Sequence, residues 1–168
     1  MKLYQGNYIT LYKENGWEYV RRDSCTGIVV MIGLTSDNKV ILVEQYRIPL
    51  NAMVLEFPAG LVNDPGTIGI ESLEQAARRE MIEETGYEAG SVELVTEGPP
   101  SPGLSSEVIS VFRMSQLKKI EAGGGVDGEH ITVHEILLDE VDTWLDLQRK
   151  KGILIDPKIY MGLYFLNR

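Results

Sequence analysis

The sequence holds a single cysteine, Cys25, so no disulfide can form within the chain. It is also short of positive charge. Against 25 Asp and Glu stand 16 Lys and Arg, a formal net charge of −9, which argues against nonspecific binding to nucleic acid or to an anionic membrane surface. No apolar run approaches the length of a membrane span, and the first residues lack the apolar stretch of a secretory signal. A reducing, cytoplasmic location is therefore expected. Repeats, low-complexity tracts and an interdomain linker are lacking too, and 168 residues suit one domain with a sizeable core, residues 1–168.

What is present is a concentration of acid on one expected helix, Arg79-Glu80-Met81-Ile82-Glu83-Glu84-Thr85-Gly86. Helical residues three and four apart are neighbours, so Glu80, Glu83 and Glu84 crowd one face and repel each other. A helix needing only stability would place Lys among them. Oxygen-rich clusters of this kind suit a hard cation such as Mg²⁺ or Mn²⁺. Ser72 with Gln75 forms a capping-box pattern at the start, Leu73, Ala77 and Met81 give a core stripe, and Gly86 suits the left-handed C-terminal position. Small Ala76, one turn before Glu80, lets the acidic face approach another surface. Arg79 is expected to pair with neighbouring carboxylates.

Elsewhere the pattern predicts strands over Tyr8 to Lys13 and Trp17 to Arg22 around an Asn15-Gly16 turn. Further strands are expected at Thr26 to Gly33, Val40 to Arg47, Val54 to Phe57, Val92 to Thr96, Val108 to Met114 and His130 to Leu138. Asp139 to Lys151 reads as a helix stopped by Gly152, and Asp156-Pro157 opens a last helix to about Leu166. Mixed strands with few helices, without regular alternation, indicate an α+β sandwich. His130 and His134 would share a strand face, but the carboxylates already supply a cation site.

Glu71-x7-Arg79-Glu80-Met81-x-Glu83-Glu84-x-Gly86-Tyr87 resembles the signature of the Nudix hydrolases, G-x5-E-x7-R-E-U-x-E-E-x-G-U with U bulky and apolar. There are two departures. Tyr87 stands at the closing apolar position, and Pro65 stands where the opening Gly belongs. Gly60 is the best candidate for that Gly, which makes the loop Leu61 to Ile70 five residues longer than the pattern. Gln45-Tyr46-Arg47-x-Pro49, Glu56-Phe57-Pro58-Ala59-Gly60-Leu61 and Ser101-Pro102-Gly103-Leu104-Ser105 resemble the ADP-ribose pyrophosphatase branch, in which a proline about sixteen residues after the motif Gly marks ADP-ribose enzymes.

The resemblance, over about residues 5 to 166, implies the Nudix fold: a mixed β-sheet between α-helices, here with an N-terminal antiparallel hairpin (1–23) ahead of the core (24–168). It implies metal-dependent hydrolysis of ADP-ribose to AMP and ribose 5-phosphate. Glu80 and Glu84 would hold Mg²⁺ (or Mn²⁺) with the Ala59 carbonyl, and Glu83 would complete the cluster. Glu129, in the loop Gly123-Gly124-Gly125-Val126-Asp127-Gly128-Glu129, would orient or deprotonate the attacking water, with Asp127 in reserve. That loop is expected to close over substrate. Tyr8 and Trp17 would stack on adenine, Glu18 would meet the base edge, and Arg22 and Arg47 would contact phosphate or ribose. Glu56 and Leu61 belong to the same substrate-binding motif, and Pro102 with Gly103 would shape a pocket wall. A homodimer sharing the N-terminal segment is implied. The alternatives are another nucleoside-diphosphate sugar, such as ADP-glucose or GDP-mannose, or an ADP-ribose-binding sensor that cleaves nothing. The intact glutamates and the lack of a DNA-binding module weigh against the sensor.

Overall fold

A computed structural model describes residues 1–64, 69–126 and 128–168. Asn15 and Gly16 both take positive φ (47° and 85°), which matches the twist of a tight hairpin between β2 (Thr10–Glu14) and β3 (Trp17–Arg21). Tyr12 and Tyr19 stand opposite each other in this pair and stack at 5.7 Å. The expected two-stranded hairpin is in fact a three-stranded sheet, because β1 (Lys2–Gln5) pairs antiparallel with β2. All four residues of β1 are exposed, so no alternation marks it as a strand. Tyr8 lies just before β2, not within it.

The chain continues as β4 (Gly27–Gly33), β5 (Lys39–Arg47), a short 3₁₀ turn (Ile48–Leu50), β6 (Ala52–Glu56) and β7 (Ala59–Val62). Then come α1 (Leu73–Thr85), β8 (Tyr87–Gly98), β9 (Ile109–Lys119), β10 (Thr132–Leu137), α2 (Val141–Lys150), β11 (Leu154–Ile155) and α3 (Lys158–Leu166). Two four-stranded sheets form, in the orders β7-β4-β9-β8 and β10-β5-β6-β11. Both are mixed: β4 runs parallel to β9 and antiparallel to β7, and β11 runs parallel to β6.

Alternation along β4 shows how the layers are held. Val29 and Met31 pack towards α1 with Ala76, Ala77 and Met81, whereas Val30 and Ile32 join Phe57, Leu145, Ile159 and Leu163 below α2 and α3. Successive side chains of a strand face opposite ways, so a strand buried on both sides must be apolar throughout, as these four are. The result is an α+β arrangement of mixed sheets between helices. Gly162 of α3 is needed for this closure, since a Cβ there would lie 2.1 Å from the Phe57 ring.

Candidate active site

Both ends of α1 are fixed as its sequence suggests. Ser72 Oγ accepts the Gln75 N–H at 3.2 Å, and the Ser72 N–H donates to Gln75 Oε1 at 2.8 Å. At the far end Gly86 is left-handed (φ 76°) and donates to the Ile82 carbonyl. With Met81 in the core, the adjoining side of the helix turns Glu80 and Glu84 towards β7. There they line a cavity of about 330 Å³ with Arg22, Ile28, Gln45, Arg47, Ala59, Gly60, Leu61, Asp64 and Glu129.

Contact between helix and strand is close. The Ala59 N–H donates to Glu84 Oε2 at 3.1 Å. Any Cβ at residue 60 would fall 1.9 Å from Glu80 Cδ, so only glycine admits the Glu80 carboxylate. Burial pushes the Glu84 carboxyl up to about 8; the nearby Glu80 and Glu129 add to this, while the Ala59 N–H opposes it. Burial likewise raises Glu80 to about 7 against the attraction of Arg79. Arg79 binds Glu71 through Nη2 (2.8 Å) and Nε (3.2 Å), Glu80 and Glu83 through Nη1 (2.8 and 3.0 Å), and the Leu61 carbonyl through Nη2 (3.0 Å). The Arg79 bond is the main reason that Glu71 titrates below the usual carboxylate range.

Glu129 reaches the same cavity from the glycine-rich loop. The root of that loop is bound to the end of α1: Gly124 N–H donates to the Glu84 carbonyl at 2.9 Å and Gly125 N–H to the Glu83 carbonyl at 3.0 Å. Three carboxylates of the cavity are thus tied, directly or through backbone, to one helix.

The matched family model is the NUDIX domain, over residues 26–158. The chain belongs to the Nudix family. It is 32% identical to an ADP-ribose pyrophosphatase of Bacillus subtilis over 83% of this chain and 76% of the relative. It is 31% identical to a GDP-mannose pyrophosphatase of Escherichia coli over 99% of this chain and 92% of the relative. A methanol dehydrogenase activator of Bacillus methanolicus is 33% identical over 84% and 72%. Among solved structures, an ADP compounds hydrolase superposes with a TM-score of 0.69 at 20% identity, covering 99% of this chain and 89% of the other, which supports the fold. The chain is a Nudix hydrolase of the nucleoside-diphosphate-sugar pyrophosphatase group.

Within this Nudix site, Glu80, Glu84, Glu129, Ala59, Leu61, Arg22 and Arg47 share one cavity. Glu83 faces Arg79 and is not among the residues lining it. Glu56 lies behind Arg47, accepting from its Nε at 2.8 Å. Glu18 is exposed and pairs with Lys13 at 3.1 Å, apart from the cavity. Trp17, Pro102 and Gly103 line a second cavity of about 400 Å³, and Tyr8 lines a third, so one chain does not bring Tyr8 and Trp17 together. Asp127 and Pro65 lie outside the described residues. His130 precedes β10, so the expected shared face with His134 does not form; His134 Nε2 instead meets Glu44 at 2.8 Å.

Three other residues at or beside the site carried no sequence signal: Asp64, Asn63 and Glu107. Glu107 accepts from Arg22 Nε at 2.8 Å across 85 residues of sequence. Arg22 and Glu107 border a cavity of about 260 Å³ with Cys25, Ile28 and Ser106. This cavity shares Arg22 and Ile28 with the carboxylate cavity and Ser106 with the Trp17 cavity. Neighbouring cavities that share wall residues therefore lie between Glu84 and Trp17.

Among the described residues, no three acidic, His or Cys side chains already surround a common point. The donors nevertheless fit a hard cation. They are carboxylate oxygens, partly stripped of water, whose mutual repulsion a divalent ion relieves. No helix among the described residues is long and apolar enough to cross a membrane.

Proposed function

We propose that this Nudix hydrolase cleaves the diphosphate of ADP-ribose, releasing AMP and ribose 5-phosphate, with Mg²⁺ or Mn²⁺ held by Glu80 and Glu84. These neighbouring cavities carry this reading. They offer acid for a cation at one end, Arg22 and Arg47 for phosphate oxygens in between, and an exposed indole with Pro102 and Gly103 at the other end. A bound cation would neutralise the diphosphate and lower the pKa of a water. Glu129 would take the proton of the attacking water. As the water oxygen bonds to one phosphorus, the bridging P–O bond breaks and the second phosphate leaves with the bridging oxygen. A chain of net charge −9 needs these local arginines, since its overall field repels the substrate.

The working unit is proposed to be a homodimer of single-domain chains. Residues 1–23 would serve association and base binding, and residues 24–168 would carry the chemistry. The N-terminal segment exposes Leu3, Tyr4, Tyr8, Ile9 and Trp17, an apolar surface suited to a second copy. A second copy would also explain why Tyr8 and Trp17 stand apart in one chain. GDP-mannose is the alternative substrate, favoured by the near-complete alignment with a GDP-mannose pyrophosphatase.

The test is turnover of ADP-ribose, ADP-glucose and GDP-mannose with product identification, alongside light scattering of the active protein. ADP-ribose should give the highest kcat/KM, AMP as a product, and a dimeric mass. Preference for GDP-mannose replaces the substrate assignment, and a monomeric mass removes the shared-site model.

A further inference from the structure

Asn63 lies directly after β7 with a left-handed backbone (φ 53°), a conformation asparagine tolerates better than most residues. From there it grips Glu71, eight residues on. Asn63 Oδ1 accepts the Glu71 N–H at 2.7 Å, Nδ2 donates to the Glu71 carbonyl at 3.2 Å, and the Asn63 N–H donates to Glu71 Oε1 at 3.1 Å. Nδ2 also donates to Thr26 Oγ1 at 2.7 Å, which fastens the grip to the segment before β4. Both the backbone and the carboxylate of Glu71 are thus located by a single earlier residue. Glu71 in turn receives Arg79, whose other guanidinium nitrogen holds Glu80 and Glu83.

We propose that Asn63 is a positioning residue for the carboxylate site, acting through Glu71 and Arg79 on Glu80 and Glu83. It is not one of the fixed positions of the motif. It also accounts for Glu71 keeping its place although the opening glycine of the pattern is displaced: the residue is seated from the end of β7. Groups that orient metal ligands from behind typically change metal affinity by about 10–100-fold when removed. The inference rests on the metal-dependent reading above.

Asn63→Gly isolates the effect, because glycine keeps the left-handed backbone and its N–H while losing all three side-chain bonds. The experiment measures Mn²⁺ binding by electron paramagnetic resonance, together with kcat and KM for ADP-ribose, for the full-length wild type, N63G, E71Q and the double variant. N63G should raise the Mn²⁺ Kd by about tenfold and lower kcat, with KM within about twofold. In the E71Q background the same change should add less than about twofold, since both act along one path. An N63G protein with wild-type Mn²⁺ affinity, or losses that multiply in the double variant, overturns the proposal. If N63G is unfolded by circular dichroism, N63D takes its place. It keeps the acceptor, loses both donors, and should weaken Mn²⁺ in the same direction; wild-type affinity again overturns the proposal. A wild type that binds no Mn²⁺ defeats the metal reading itself, a result distinct from a binding wild type with an unaffected N63G.

Discussion

At one end of the cleft, Glu84 is 5% exposed, Glu80 rests on a glycine, and Arg79 ties three carboxylates together. At the other end, Trp17 is 63% exposed, and Gly103 has open space around it. The first region is held by bonds and close packing within one chain. The second presents an aromatic wall that a ligand or a second chain would have to cover. Preorganisation is valuable where charge develops in a reaction, because donors and charges fixed in advance need not reorganise. Binding a flat base asks for less, and a partly open groove suffices.

The largest effect is expected from Glu84→Gln. Activity should fall by orders of magnitude, while the melting temperature near neutral pH holds or rises because the fold no longer has to keep a buried carboxyl protonated that the unfolded chain ionises. Melting well below the wild type would show that Glu84 is structural.

A paired substitution sharpens the contrast between the two ends. In Gly60→Ala the new Cβ collides with the Glu80 carboxylate, and a displacement of about 1 Å at a reacting site can cost on the order of 100-fold in rate. Gly103→Ala meets nothing and should change kcat by less than about twofold. Equal losses in the two variants would erase the distinction.

The pH dependence of stability should also belong to one end alone. Glu80 and Glu84 keep their protons up to about 7 and about 8 in the folded protein, whereas in the unfolded chain they titrate near ordinary carboxylate values. Between these limits the folded state holds protons that the unfolded state has released, so stability is full below the ordinary carboxylate range and is lost as pH rises to about 8. Without divalent ions, melting temperature should fall from pH 5 to pH 8.5. Added Mg²⁺ should restore more at pH 8 than at pH 6, because cation binding requires the ionised carboxylates. Glu84→Gln should flatten the profile, and an unchanged slope would place the titration elsewhere.

The smallest effect is expected from Trp17→Ala: a several-fold rise in KM for ADP-ribose, kcat within about twofold, and little change in melting temperature for so exposed a residue. An unchanged KM would remove the indole from substrate binding.

The same contrast governs what could be read in the sequence. The caps of α1, its core stripe and the Arg79 pairs depend on residues one to eight apart, so their pattern is visible locally. Strand β1 was invisible because it buries nothing on either face. The Arg22–Glu107 pair, the Asn63–Thr26 bond and the neighbouring cavities depend on side chains brought together from distant parts of the chain by the sheets, and the Asn63–Glu71 grip, though only eight residues long, follows no repeating pattern. No periodicity announces them. The glycine-rich loop was readable as a loop carrying Glu129, but its attachment to the last carbonyls of α1 was not.

The central claim is that chemistry depends on a cation held by Glu80 and Glu84. Its most direct measurement is AMP formation from ADP-ribose by the wild type under Mg²⁺ titration, excess chelator and Mg²⁺ re-addition. The account predicts that turnover is abolished by chelator and restored by Mg²⁺ or Mn²⁺. Full turnover in excess chelator would contradict it.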